Sequence, residues 1–122
     1  MSPLFSHRTV GPEVRPVPRA EWSLLNAPGC RNVDGKVLVA ETEVTVAMLR
    51  FSPDATIEEH EADHGTEVVC LEGNGFTSVD GLAAEIHTGE SVHWPARRPH
   101  RLWTEGSLMV TLMVEHPRPY KA

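Results

Sequence analysis

"GFTSVDGLAAEI", residues 75–86, decides the fold class. Its two runs, "GFTSV" and "LAAEI", flank Asp80-Gly81, the strongest short hairpin signal in the chain. Working outward, "TEVVCLEG" (66–73) reads as a strand ending at a glycine, and "SVHW" (91–94) as one stopped by Pro95. "HRLW" (100–103) runs into Thr104-Glu105-Gly106, and "SLMVTLMVE" (107–115) into a Pro-rich tail. Upstream, "KVLVA" (36–40) and "EVTVAMLRF" (43–51) are rich in β-branched residues and follow the turn pair Asp34-Gly35. No stretch sustains a 3.6-residue period; "DATIEEHEADH" (54–64) is the one segment open to a helical reading. About eight to ten short strands spaced by turns predict an all-β sandwich or barrel. Closure is expected, since so many strands in so short a chain would otherwise leave open edges.

The chain has 122 residues with 11 basic and 17 acidic side chains, a formal charge of −6. That length is one domain. Residues 1–20 hold Pro3, Pro12, Pro16 and Pro18 and read as an extended N-terminal arm, with residues 21–122 as the folded domain. The acid excess argues against nucleic acid, which selects basic surfaces. No apolar run approaches the ~18–20 residues a membrane span requires. "MSPLFSHRTV" lacks a charged start followed by an apolar stretch, so no signal peptide is read. Cys30 and Cys70 are too few for a disulfide scaffold and suit a cytoplasmic protein.

Seven histidines are the unusual feature, and they are unevenly placed. His60 and His64 lie in an acidic segment, His87 and His93 flank the Gly89 turn, His100 follows Pro99, and His7 and His116 sit in the tails. Imidazoles from separate strands can meet on one metal ion, for which they are the commonest protein ligand. "HEADH" (60–64) also satisfies H-E-x-x-H, but that zinc-protease chemistry needs a helix, and Gly65 with a solvated acidic face argues for a loop. The same acidic run lacks the glycine and terminal glutamate of a calcium-binding loop.

"GESVHWPARRPHRLWT" (89–104) resembles the second conserved motif of the cupins: Gly, five residues, Pro, one residue, Gly, two residues, His, three residues, Asn. Gly89, Pro95 and His100 fall on that spacing, while Arg97 replaces the second glycine and Thr104 the asparagine. "HEADHGTEVVCLEGNG" (60–75) resembles the first motif, His-x-His, three or four residues, Glu, six residues, Gly. His60 takes the first histidine position and Ala62 the second. Glu67 suits the glutamate counted forward, whereas counting back from Gly73 puts Thr66 there.

The resemblance implies a single-domain cupin, a jelly-roll or double-stranded β-helix barrel, commonly a homodimer. It implies a divalent metal (iron, zinc, nickel or manganese) inside the barrel, with His60 and His100 as ligands carried over by position. His64 is expected to fill the place Ala62 leaves. Glu67 is expected as the carboxylate if a one-residue bulge corrects its strand parity. Trp94 and Trp103, with Phe76, are candidates to line the mouth. Arg98, within the Arg97–Arg98–Arg101 cluster, is a candidate to hold an anionic group on a substrate. The function implied is a metal-dependent dioxygenase, isomerase or lyase acting on a small polar molecule. The alternative is a non-enzymatic binding cupin with a degenerate, metal-free site, as Ala62 and Thr66 suggest.

Overall fold

The computed structural model describes residues 9–116. Eight strands make up the fold: β1 (Arg19–Leu24), β2 (Cys30–Ala40), β3 (Thr45–His60), β4 (Gly65–Val79), β5 (Leu82–His87), β6 (Ser91–Trp94), β7 (His100–Trp103) and β8 (Met109–His116). All pairings are antiparallel. No helix occurs among the described residues, and so none long and apolar enough to cross a membrane. The all-β expectation holds.

The Asp80-Gly81 hairpin is as the sequence predicts. Val79 pairs with Leu82, leaving a two-residue loop whose φ angles, 54° and 78°, are both positive. Those are the angles of a type I′ turn, which matches the twist of the flanking strands.

Elsewhere the strands are longer than the sequence suggests. β3 continues from Thr45 through Pro53 to His60, so the segment open to a helical or loop reading is strand up to His60, with Ala55, Thr56 and Ile57 buried. Pro53 is tolerated because it lies where β3 leaves one partner for another. Phe51 is opposite Met109 of β8, and Thr56 is opposite Trp103 of β7. β4 changes partners the same way: Gly73 faces Met109 of β8, and Phe76 faces Trp103 of β7. Gly73 has φ 71°, and a Cβ there would lie 1.8 Å from the Leu108 carbonyl oxygen, so only glycine can make this handover.

β3 and β4 are therefore shared between two layers, bridged by β8 at one half and by β7 at the other. The hydrogen-bonded path β3–β7–β4–β8 returns to β3, which removes open edges from the ring. β1, β5 and β6 each have a single partner, β2 for the first and β4 for the other two. Leu49, Val68 and Met113 from one part of the ring, with Val33 of β2, pack with Ile57 and Leu102 from the other part to form the core. Residues 9–18 carry no regular secondary structure and are exposed, whereas Arg19 and Ala20 already belong to β1. The arm's first eight residues lie outside the described part of the chain.

Candidate functional site

Strand parity delivers two polar rows to one end of the space between the layers. Glu115 of β8 pairs with Thr45 of β3 and with Thr66 of β4, and Thr66 pairs with Trp94 of β6. Cross-strand partners share a face. In the other layer His60, the last residue of β3, pairs with His100, the first of β7. The two rows meet where the Trp94 indole stacks on the His100 ring, centroids 4.2 Å apart and planes 15° from parallel. A cavity of about 470 Å³ lies between them. His60, His64, His100, Thr66, Trp94 and Glu115 form its polar end, and Leu25, Val37, Ala47, Leu49, Ile57 and Met113 give it largely apolar walls.

His60 and His100 approach with Nε2 atoms 3.2 Å apart. The Nδ1 of His60 lies 2.9 Å from the Glu58 carbonyl oxygen, and that of His100 lies 3.1 Å from the Arg98 carbonyl oxygen. A carbonyl only accepts, so each Nδ1 carries the proton and donates, and each neutral ring presents a bare lone pair at Nε2. The two Nε2 atoms hydrogen-bond to one another only if a ring takes up a second proton. Burial opposes that at His100, 2% exposed, and with the neighbouring His60 charge holds its pKa down to about 4. Two lone pairs thus converge on a point suited to a cation. Two imidazole nitrogens bound to one metal at about 2.0–2.1 Å stand about 3.0–3.4 Å apart, so this pair fits. Backbone carbonyls that fix the Nδ1–H tautomer are the usual outer support of a metal-binding histidine. Trp94 adds to the fixation. Its Nε1 donates to Thr77 Oγ1 at 3.0 Å, and that hydroxyl donates to the Arg101 carbonyl at 3.0 Å.

His64 lines the same cavity with a different chemistry. Its Nδ1 lies 3.1 Å from Asp63 Oδ1 and its Nε2 2.9 Å from Glu115 Oε1. Burial disfavours the charged ring, but the hydrogen bonds and charges of Asp63 and Glu115 outweigh it, and the His64 pKa is raised. With both nitrogens donating to carboxylates, His64 has no lone pair turned toward His60 and His100. Among the described residues no group of three or more His, Cys, Asp or Glu side chains is placed to hold a metal ion. The protein's own offer is two imidazoles.

Three other residues singled out from the sequence stand away from the cavity lining. Glu67 pairs with His93 at 2.8 Å, because Thr66, Val68 and Cys70 are the buried members of β4. β4 does carry a register shift between Cys70 and Glu72, but Glu67 still falls on the outer face, opposite His93. Arg98 pairs with Asp80 at the hairpin tip, 3.2 Å away. Trp103 stacks on Phe76 with centroids 5.6 Å apart and donates to Glu105 at 2.8 Å. Of the other histidines, His87 pairs with Glu90, His116 ends β8 opposite Gly65, and His7 lies outside the described residues. H-E-x-x-H is not on a helix: His60 closes a strand and residues 61–64 form a loop.

The departures from the family motifs have local explanations. Arg97, at the glycine position, keeps the positive φ of 59° that favours glycine, and its N–H donates to the Ala62 carbonyl at 2.7 Å. Thr104, at the asparagine position, is buried; its hydroxyl donates to the Ser52 carbonyl and accepts from the Ala55 N–H, tying the end of β7 to β3. Glu115 was not identified from sequence. Its signal was parity: Met109, Thr111 and Met113 are the inward residues of β8, and Glu115 continues that series.

A sequence model of the family described as "Cupin domain" matches residues 47–115, more than half of the chain. No curated protein sequence matches significantly. Among solved structures, the polyketide cyclase RemF from Streptomyces resistomycificus is similar with a TM-score of 0.76 at 20% identity, over 87% of this chain and 81% of that one. A Cupin 2 conserved barrel domain protein from Leptotrichia buccalis aligns with a TM-score of 0.66 at 27% identity, over 69% of this chain and 40% of its own length. An RmlC-like cupin from Shewanella frigidimarina aligns with a TM-score of 0.72 at 18% identity, over 80% and 84% of the two chains.

Proposed function

This chain belongs to the cupin-domain family, and from that premise we propose that it binds a small molecule between its layers on a divalent metal held by His60 and His100. The observation that carries the reading is the pair of bare Nε2 atoms converging at 3.2 Å. Imidazole donors suit zinc, iron or nickel better than manganese, which prefers oxygen. When bound, such a metal supplies Lewis-acid polarisation of a ligand oxygen.

The chain's own residues do the rest. Trp94 and the Arg98 carbonyl hold the His100 ring in place. Leu25, Val37, Leu49 and Met113 give the ligand apolar walls, and Arg19 and Lys36 also line the cavity, so the molecule expected here has an apolar body and a polar end. Thr66 and Glu115 offer hydrogen-bonding groups at that polar end. The polyketide cyclase among the structural neighbours supports an enzymatic role for such a cavity.

A second reading, metal-free binding, is favoured by Ala62 and Thr66, which line the cavity without offering a histidine or a carboxylate. Elemental analysis of protein prepared without a histidine tag, followed by titration with Co²⁺ and Zn²⁺, separates the two. The metal reading expects one ion per chain and loss of binding in His60→Ala and His100→Ala. A folded protein that takes up neither ion leaves the metal-free reading.

A further inference from the structure

Arg19 and Lys36 both line the cavity, but only one of them turns its charge toward it. Lys36 alternates with Gly35 and Val37, which face inward, so its side chain leaves on the outer face. There its ammonium stands 4.6 Å from the centre of the Trp22 ring, and the Arg50 guanidinium meets the same ring at 4.4 Å. Arg19 has the opposite parity. It is the cross-strand partner of Val37, which is opposite Ala47, which in turn is opposite Met113, and all four line the cavity. Cross-strand partners share a face, so the Arg19 side chain lies on the inner face, and its exposure places it at the rim. The Trp22 clamp pins β1, the strand that carries Arg19, against β2 and β3.

Arg50, Arg98 and Arg101 each hold an acid, respectively Asp34, Asp80 and Glu58, whereas Arg19 has no such partner among the described residues. Glu115, the one acid among the lining residues, is held by His64. It stands on β8, three strands from β1 and roughly 14 Å away along the sheet. We propose that Arg19 anchors a carboxylate on the cavity's ligand, which is thus an apolar-bodied monocarboxylate with a hydroxyl at the His60–His100 end. This rests on the reading that the cavity binds a small molecule. The guanidinium fork matches the two oxygens of a carboxylate. A single cation balances a single negative charge, and a chain of formal charge −6 repels a dianion more than a monoanion, so a carboxylate is favoured over a phosphate ester. The hydroxyl suits the far end because it can donate to the bare Nε2 lone pairs or bind a metal held by them. Exposure sets the size of the effect. Solvent screens an ion pair at the rim, so the carboxylate adds about fivefold in affinity, not hundreds-fold.

6-Hydroxy-2-naphthoic acid and its methyl ester are the probes, since they share a body and a hydroxyl and differ only in the charge. Calorimetric titration of the full chain at pH 7 and low salt measures both, on protein as purified and again after chelation, with metal content determined each time. Wild type should bind the acid about fivefold more tightly than the ester. Arg19→Gln should abolish that difference and leave the ester's affinity and the far-ultraviolet dichroism unchanged, while Arg19→Lys should retain part of it. Sodium chloride at about 0.5 M should shrink the acid's advantage and leave the ester alone. Equal affinities in wild type overturn this proposal and leave the small-molecule reading standing, whereas absence of binding by both compounds overturns the two together. An advantage of the acid that survives Arg19→Gln also overturns the proposal. Its loss on chelation would then place the carboxylate on the metal.

Discussion

His100 and His64 line one cavity and hold opposite protonation preferences. His100 is buried against Trp94, donates one proton to a carbonyl and meets His60, so a second proton is disfavoured and its pKa is held down to about 4. His64 is partly exposed and sits between two carboxylates, so its pKa is raised. The difference shows that histidine content alone says little about metal binding. What decides is whether the backbone or a carboxylate takes the second nitrogen.

The strongest way to sharpen the contrast is to add donors to the lone-pair wall. Ala62 and Thr66 both line the cavity and stand at family ligand positions. Ala62→His with Thr66→Glu should tighten Zn²⁺ binding by about a hundredfold over wild type, since a closed four-ligand site is the arrangement zinc favours. Competition against a chelator of known affinity measures it. Affinity equal to wild type would mean that these two positions do not face the point where His60 and His100 converge.

Acid breaks the same wall. In metal-free protein, lowering the His100 pKa from the usual 6.5 to about 4 makes the unfolded chain the better proton acceptor between those values. Stability tied to neutral His100 is therefore full above about pH 6.5 and is lost as pH falls toward 4. The loss is on the order of 3 kcal/mol. Urea unfolding of wild type and His100→Phe at pH 7 and pH 4.5 should show most of that dependence gone in the variant.

Much of this was legible in the sequence where local chemistry is self-sufficient. Asp80-Gly81 specifies its turn through two positive φ angles, and the spacing of Gly89, Pro95 and His100 located one real cavity residue. The long strands were not legible, because Pro53 and Gly73 look like ends in isolation. In the fold they mark places where β3 and β4 change partners. The carboxylate of the cavity was missed for a similar reason. Glu67 was favoured by motif counting, but facing direction depends on where the bulge falls, and that is set by pairing with β8. Glu115 is the next-to-last residue of the apolar strand β8 and belongs to no motif, so only the pairing register shows which way it faces.

Arg97 links the two histidines, since its N–H holds the Ala62 carbonyl of the loop carrying His64 and it lies three residues before His100. Its φ of 59° is unfavourable for a side chain with a Cβ. Arg97→Gly should stabilise the fold by up to about 1 kcal/mol, less the entropy glycine adds to the unfolded chain. Thermal denaturation at pH 7 reads it, and a lower midpoint would mean that the arginine side chain contributes more than its backbone strain costs.

The smallest expected effect is on the His64 side of the contrast. A raised pKa means that the folded protein binds the His64 proton more tightly than the unfolded chain does. The stabilisation is full below the unfolded value and fades as pH rises through the folded one. Because Glu115 is 36% exposed and Asp63 89% exposed, solvent screens the pair and the contribution is below ~1 kcal/mol. Glu115→Gln removes one of the two carboxylates. The stability difference between wild type and variant should therefore be larger at pH 6 than at pH 9. A difference that is constant across that range would mean that His64 is neutral in the fold and that both histidines share one protonation preference after all.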